Sequence, residues 1–373
     1  MRNGVLSKGA RLGDAEAADG ISETGMAARR EPFEIAGEAI APGTRRTVDI
    51  PLAVMSNHTP VTLPVHVIHG RRDGPGVFIS AAVHGDEIIG VEIVRRLMKA
   101  PALRRPSGTI LLVPVVNALG FISHSRYLPD RRDLNRVFPG SANGSLASQL
   151  AYIFLEEVVA RCQYGIDLHS AALHRTNLPQ IRANMNNTKA KALAQAFGAP
   201  VILHSSLREG SLRAAGEERG APIIVFEAGE ALRFDEFAIR TGVTGCLRVL
   251  KSIGCLGVRS VRDRATPSPV SKKSSWTRAP EGGVFRAFRT IGDTVEEGEV
   301  IGLVSDPFGE EESEVNAPLD GLIVGRTNLP IVNRGDALFH IAQLSRIDAV
   351  ETVIDQLEQQ FDSDPLFDED EIL

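Results

Sequence analysis

The sequence predicts an α/β protein whose mixed, largely parallel sheet is covered on both faces by helices, followed by a small all-β region. Three observations carry this expectation. Short apolar runs bounded by Gly alternate with amphipathic stretches from about Thr47 to Lys251; a Pro- and Ser-rich segment interrupts the chain between Asp263 and Pro280; and beyond it short Val/Ile/Leu runs are punctuated by Gly292, Gly298, Gly302, Gly321, Gly325 and Gly335. Helical crossovers between strands require a sheet buried on both faces, whereas closely spaced strands with glycine turns indicate a separate β module.

Residues 1–34 mix Gly, Ala, Glu and Arg without sustained apolar periodicity and are expected to form a mobile arm. Gly76 to Val83 reads as a buried strand, being short, apolar and bounded by Gly and by His-Gly-Asp. Ile88, Val91, Val94, Leu97 and Met98 then recur at spacings of three and four, which predicts a helix over about 87–99. A strand at Thr109–Val116 follows, then a helix from Leu146 to about Ala160 behind the N-cap Ser145, and a strand at Tyr164–Leu168. A helix at Thr188–Phe197, a strand at Pro222–Phe226 and a helix from about Asp235 to Lys251 complete the alternation. The expected divisions are a catalytic-type domain at 35–262, a linker at 263–280, a small β domain at 281–345 and an acidic C-terminal tail at 346–373.

Composition narrows the function classes. With 43% hydrophobic and 24% charged residues and a formal charge of −6, the 373-residue chain has the make-up of a soluble globular protein and no basic excess for nucleic acid. It has no apolar run near the about 18–20 residues that cross a membrane and no signal-peptide core, so a cytoplasmic location is expected. Cys162, Cys246 and Cys255 form no C-x-x-C pair, so any metal must be held by His, Asp or Glu.

His84-Gly85-Asp86-Glu87 is an H-x-x-E arrangement where a strand is expected to end and a helix to begin. Ligands in open α/β sheets collect beyond the carboxyl ends of strands. Alone the motif is short enough to arise by chance. Gly165-Ile166-Asp167-Leu168-His169, however, places a second histidine at the end of another expected strand. Two histidines and one carboxylate leave a fourth position open, the donor count of a catalytic zinc site. Asp167 shares a strand face with His169 and is a candidate to hydrogen-bond its ring, or equally part of a plain ion pair. Glu227 follows the apolar strand Ile223–Phe226 and is the candidate general base, with apolar surroundings expected to raise its pKa. The run Ser125–Arg136 is dense in guanidinium groups, which pair with carboxylates and stabilise oxyanions, so it suits a small anionic substrate.

The blocks His84-Gly85-Asp86-Glu87, Arg126-Tyr127, Asp133-Leu134-Asn135-Arg136, Asp167-Leu168-His169 and Glu227-Ala228-Gly229 together resemble the succinylglutamate desuccinylase/aspartoacylase family, relatives of the zinc carboxypeptidases, over about residues 45–340. The resemblance implies a zinc exopeptidase-like core of a mixed sheet flanked by helices, and hydrolysis of the amide of a small anionic N-acyl amino acid. It implies one zinc ion per chain held by His84, Glu87 and His169, with Glu227 as general base and Arg126 polarising the carbonyl. Asn135 and Arg136 would hold the substrate carboxylate, with Arg213 as a further contact. Two departures stand out: two extra residues separate Arg126 from Asn135-Arg136, and none of the chain's three tyrosines lies in the late region where the family often places one.

The final region resembles a biotinyl/lipoyl-type barrel or hammerhead-like domain. It has no lysine after Lys273 to carry such a group, which leaves it to wall the site's mouth or to form a dimer contact. A homo-oligomer is compatible with the sequence. Two other readings of the chain remain open: a metallocarboxypeptidase acting on peptides, and a catalytically silent binding protein. No role separates His124 and His174 from ordinary packing.

Overall fold

Val77, Phe78 and Ile79 are all fully buried, and a strand apolar on both faces must be covered on both sides. The computed structural model, which describes residues 30–262, 266–344 and 348–362, shows how. A small hairpin, β1 (Phe33–Ile35) and β2 (Glu38–Ile40), precedes β3 (Thr44–Val54), β4 (Pro60–His69) and β5 (Arg72–Ala81). Helix α1 (Ile89–Lys99), β6 (Ser107–Val113), the short α2 (Ala118–Ile122), α3 (Leu146–Glu157) and β7 (Tyr164–Ala171) follow. Then come β8 (Arg175–Ala183), α4 (Thr188–Phe197), β9 (Val201–His204), α5 (Leu212–Glu218), β10 (Ile223–Glu230) and α6 (Glu236–Ser252).

Within the sheet β6, β5, β7 and β10 run parallel to their neighbours, whereas β4 is antiparallel to β6 and β8 is antiparallel to β10. Alternation along β5 sorts its side chains between two cores. Val77, Ile79 and Ala81 pack with Ile89, Ile93 and Leu97 of α1, Phe197 of α4 and Val243, Leu247 and Leu250 of α6. Phe78, on the other face, packs with Leu150, Phe154 and Leu155 of α3, and with Leu212 of α5. Each such Val, Ile, Leu or Phe side chain contributes about 1.5–3 kcal/mol on burial, so the two apolar layers fix the strand's position from both sides.

The helices start where polar caps permit. Ser145 accepts from the Ser148 amide at 3.4 Å, Asn187 from the Lys189 and Ala190 amides, and Asp235 from the Ala238 amide at 2.8 Å. Each side chain satisfies an amide that the first helical turn leaves unpaired.

The strand-rich C-terminal region comprises β11 (Val270–Ser271), β12 (Ser274–Arg278), β13 (Gly283–Ala287), β14 (Thr294–Val295), β15 (Val300–Ser305), β16 (Glu312–Asn316), β17 (Gly321–Thr327), β18 (Ile331–Val332) and β19 (Ala337–Ala342). Part of it continues the main sheet, whereas β13, β15, β16 and β18 pair among themselves in a separate four-stranded sheet. β17 pairs antiparallel with β8 through Gly325↔Asn177 and Arg326↔Thr176, and β12 and β19 extend the order outward. The segment expected as a linker, 263–280, thus contains β11 and β12; its residues 263–265 lie outside the described residues. Trp276 and Thr277, in the middle of β12, alternate into neighbouring packing, which the Pro/Ser composition around them masks. The tail expected at 346–373 contains helix α7 (Asp348–Asp362), whose Val353, Leu357 and Phe361 form an apolar stripe against Phe237. Of the expected N-terminal arm, residues 1–29 lie outside the described residues, while Arg30 bonds the Gly70 and Gly108 carbonyls and Phe33 begins β1.

Candidate active site

β5 and β7 are adjacent and parallel, with Ala81 level with Leu168, so whatever follows Ala81 and Leu168 emerges at one edge of the sheet. After Ala81 the backbone turns sharply. Ala82 takes the left-handed region at φ 50, a conformation costing an L-residue about 1 kcal/mol or more. Val116 and Asn117 amides bond the Ala81 and Ala82 carbonyls at 3.0 and 2.9 Å and hold the turn. Gly85 then passes against α2 so closely that a Cβ there would lie 1.9 Å from the Gly120 carbonyl carbon, which explains the glycine in His84-Gly85-Asp86-Glu87.

The turn brings His84, Glu87 and His169 together, all nearly inaccessible to solvent, with one donor atom from each within 4.8 Å of the others. His84 Nδ1 lies 2.7 Å from Glu87 Oε1, and His169 Nδ1 lies 2.6 Å from Glu87 Oε2. The far nitrogens are anchored to carboxylates: His84 Nε2 is 3.1 Å from Asp133 Oδ1, and His169 Nε2 is 2.7 Å from Asp167 Oδ2. Ser80 Oγ donates to the other Asp167 oxygen at 2.8 Å. A ring whose outer nitrogen donates to a carboxylate presents its inner nitrogen as a lone pair, the orientation a metal ligand needs. The three inward donors can therefore hold a metal ion, and their chemistry suits a borderline cation.

Electrostatics reflect the crowding. Burial would raise the Glu87 carboxyl, but the two imidazoles hold it far below the usual carboxylate range. Burial works against protonation of His169, yet Asp167 and Glu87 outweigh it and hold the ring well above an ordinary imidazole. His84 is raised in the same way, with burial opposed by Glu87 and Asp133. The cluster thus concentrates negative charge on which only cations, protons or a metal, can settle.

Asp133 ties the cluster to the next residue outward. Its Oδ2 accepts from Arg126 Nε and Nη2 at 3.2 and 3.0 Å, and its Oδ1 also accepts from the Asn135 amide at 2.9 Å. Arg126 Nη1 reaches Glu87 Oε1 at 3.0 Å, which sets the guanidinium beside the metal-type donors. Asn135 is oriented by its Oδ1, which accepts from the Leu212 amide at 2.9 Å.

All the expected site residues line one cavity of about 610 Å3: His84, Glu87, His169, Glu227, Arg126, Asn135, Arg136 and Arg213. His124 and His174 are not part of its wall. Arg213 donates to the Ser205 carbonyl and hydroxyl and to the Ser206 carbonyl, which ties the 205–206 loop to α5; burial lowers its pKa.

Glu227 differs from expectation in its surroundings. They are polar rather than apolar: Arg182 Nε stands 2.8 Å from Oε2, an ion pair lacking hydrogen-bond alignment, and Asn177 Nδ2 donates to the same oxygen at 3.2 Å. Both partners come from β8, whose antiparallel pairing with β10 sets Gln180 opposite Glu227 and Arg182 opposite Val225. A local pattern cannot reveal a partner chosen by pairing between distant strands. The sequence reading also gave no role to Asp133, although it stands in the Asp133-Leu134-Asn135-Arg136 block. Nor did it single out Arg175, Arg208 or Trp276, which complete the cavity wall. Trp276 is the chain's single tryptophan, and that rarity was the available signal. Its ring stacks on His340 at 4.8 Å and 5°, and the Arg175 guanidinium lies 5.4 Å from the ring centroid.

A mixed sheet between helical layers, carrying a His-Glu-His group that can bind metal near the ends of adjacent parallel strands, defines the class as an α/β protein with a candidate metal centre. Residues 73–253 match the profile of the succinylglutamate desuccinylase/aspartoacylase catalytic domain, which supports that family for the chain. It is 26% identical over 296 residues to an N-alpha-acetyl-L-2,4-diaminobutyric acid deacetylase of Halomonas elongata, covering 76% of this chain and 86% of that protein. A succinylglutamate desuccinylase of Burkholderia cenocepacia is 30% identical over 184 residues, 43% of this chain and 50% of that one. Among solved structures, a succinylglutamate desuccinylase/aspartoacylase from Rhodobacter sphaeroides superimposes with a TM-score of 0.72 at 25% identity, over 80% of this chain and 96% of that one. The relatives support hydrolase activity of the deacylating kind.

Proposed function

We propose that the chain is a zinc-dependent amidohydrolase that removes the acyl group from a small N-acyl amino acid carrying at least two negative charges. The observation that carries this reading is the meeting, in one cavity, of a His-Glu-His group with carboxylate-anchored rings, a further carboxylate in Glu227, and six arginines: Arg126, Arg136, Arg175, Arg182, Arg208 and Arg213. Two imidazoles and one carboxylate are the donor set of catalytic zinc, and the anchored tautomers fit that ion. The relative from Halomonas is named for an amino acid whose side chain carries an amine. Here the cavity's carboxylates, Glu87 and Glu227, already have cationic partners, so the wall offers guanidinium groups rather than a free acid. An acidic acyl group or an acidic side chain fits such a wall, and an ammonium does not.

A bound zinc ion supplies Lewis acidity toward water and the scissile carbonyl. Glu227 takes the proton of the attacking water and delivers it to the leaving nitrogen, a transfer worth about 10²–10⁴-fold. Arg126, fixed by Asp133, donates to the carbonyl oxygen as negative charge develops there. Asn135, Arg136 and Arg213 bind substrate carboxylates, while Arg182 and Asn177 hold Glu227 in place. Trp276 on the rim supports the view that the strand-rich region walls the mouth of the cavity.

The test is metal analysis of the purified protein with hydrolysis of N-acetyl and N-succinyl derivatives of aspartate, glutamate and 2,4-diaminobutyrate, comparing wild type with Glu227→Gln. About one zinc per chain, cleavage of the acidic substrates and loss of turnover in the variant with zinc retained are expected. Preferred cleavage of the diaminobutyrate derivative overturns the charge argument, and absence of zinc binding overturns the reading as a whole.

A further inference from the structure

At the opposite edge of the sheet lies a second pocket, of about 570 Å3, lined by Gly43, Thr44, Arg45, Ile68, His69, Gly70, Arg71, Arg72, Arg104, Arg105 and Pro106. Three separate segments bring five arginines to it: the start of β3, the turn from β4 into β5, and the loop before β6. No Asp or Glu lines it. Arg45 is held by its Nη2 donating to the Leu103 carbonyl at 2.6 Å, so it leans toward the Arg104-Arg105 loop. The side chains of Arg71, Arg72, Arg104 and Arg105 have no ion-pair or hydrogen-bond partner among the described residues. The acid nearest in sequence, Asp73, pairs instead with Arg30 at 3.5 Å and is otherwise fully in solvent.

The grouping is shaped by the backbone. The Arg71 side chain lies directly over Gly43, where φ is +83 and a Cβ would stand 2.4 Å from Arg71 Nε, so only glycine admits it. His69 closes the floor, bonded to Thr109 Oγ1 at 2.9 Å and to the Glu31 carbonyl at 3.0 Å. Guanidinium groups gathered without counter-charge repel one another, and in a chain of net charge −6 this concentration of positive charge is a local exception. Its chemistry is that of an oxyanion cradle: planar forks of N–H donors and no acceptor side chain apart from Thr44 and His69.

We propose that this pocket binds a compact polyphosphorylated anion, recognised through its phosphate chain. Ile68 and Pro106 are its apolar side chains and none of its lining residues is Phe, Tyr or Trp, so a nucleotide base would find no stacking surface. Tripolyphosphate and a nucleoside triphosphate should therefore bind alike. The pocket is remote from the catalytic cavity, since β5 runs from Arg72 at this edge to Ala81 at the other, roughly 30 Å at about 3.3 Å per residue.

The test is calorimetric titration of the full-length, metal-loaded protein with sodium tripolyphosphate, ATP, citrate and a single-stranded 20-mer oligonucleotide, with metal content checked before and after. The arginine-rich catalytic cavity is a competing anion site, so Trp276 emission is recorded in parallel, because that ring lines only the catalytic cavity of the two. A tripolyphosphate site without emission change, matched by ATP within about threefold and exceeding citrate by about tenfold, is expected. Its affinity should fall about 10- to 100-fold in Arg71→Ser/Arg105→Ser and in Arg72→Ser/Arg104→Ser, all exposed positions whose change should leave hydrolysis and melting intact. Binding undiminished in both double variants, binding seen only with the emission change, or binding of the oligonucleotide alone would each overturn the proposal.

Discussion

Replacing Asp133 should weaken metal binding although the residue contributes no donor to the cluster. Its carboxylate bonds the outer nitrogen of His84, clamps Arg126 through two N–H groups and caps the Asn135 amide. Removing the partner of a ligand ring typically costs about 10–100-fold in metal affinity or activity, which is about 1.4–2.7 kcal/mol. Arg126 would lose its clamp at the same time, and an unpositioned oxyanion donor costs a further factor of about 10² in turnover. Two variants separate these roles from the cap. Asp133→Asn keeps Oδ1 as a neutral acceptor for the Asn135 amide and the His84 ring but replaces the Oδ2 that clamps Arg126 by an N–H donor, whereas Asp133→Ala loses every acceptor, for about another 1 kcal/mol of stability. Competition with a chromophoric chelator gives zinc affinity without any substrate, and denaturant unfolding gives stability. The expected pattern is zinc affinity about tenfold or more weaker in Asp133→Ala and less weakened in Asp133→Asn, with only Asp133→Ala losing the additional stability. Zinc affinity within twofold of wild type in both would refute the claim that Asp133 sets the His84 ring.

Acid should destabilise the fold partly through His340, which is buried against Trp276 and has its pKa pushed down to about 4, by burial first and by Arg182 second. A histidine lowered on folding is neutral in the native state while the unfolded chain takes up a proton below about pH 6.5, so stability falls as pH drops from 6.5 toward 4 and then levels off. Between pH 7 and 4.5 this amounts to about 2–3 kcal/mol; His340→Phe, which keeps a ring under Trp276, should lose that much less than wild type in urea unfolding. If Trp276 forms part of the wall that meets substrate, its emission should change on binding an unreacted substrate analogue, and Trp276→Leu should raise KM about 3- to 10-fold with kcat little altered. A fall confined to kcat would place the ring's influence elsewhere.

The metal-type cluster was legible because its chemistry is local. His84 and Glu87 lie three residues apart in one turn, His169 lies near the end of a strand marked by its apolar run, and strand ends in α/β sheets face the crevice. Helix bounds were equally legible where a cap marks them: Ser145 and Asn187 stand immediately before α3 and α4, and the second of these matches the expected Thr188–Phe197 residue for residue. What stayed hidden depended on pairing between distant segments. β8 carries Asn177 and Arg182 to Glu227, but only its antiparallel register with β10 makes them neighbours. The apolar surroundings expected for Glu227 rested on the apolar strand before it, and the partners across the ladder replaced them with a guanidinium and an amide. Similarly, the Pro- and Ser-rich composition around residue 270 concealed strands because edge strands tolerate such residues wherever a ladder hydrogen bond is not required.

That register also makes the C-terminal strands part of the site's mechanics. β17 pairs with β8 through Gly325↔Asn177, and a Cβ at Gly325 would stand 2.6 Å from Asn177 Oδ1, whose amide nitrogen holds Glu227. Gly325→Ala must therefore displace the Asn177 side chain or spread the two strands. The former is easier, since a side-chain rotation breaks one bond while spreading the ladder breaks several. Glu227 would then keep Arg182 and lose Asn177, which should lower kcat about 3- to 10-fold, the loss of one hydrogen bond to a charged group partly replaced by water. Zinc affinity should stay unchanged, because neither residue touches His84, Glu87 or His169. Restoring space from the other side, with Asn177→Ser in the Gly325→Ala background, should relieve the clash without restoring the bond, so stability recovers and kcat does not. If Gly325→Ala left kcat intact, Asn177 would not be positioning Glu227, and the C-terminal strands would act on the site only through the wall that Trp276 provides.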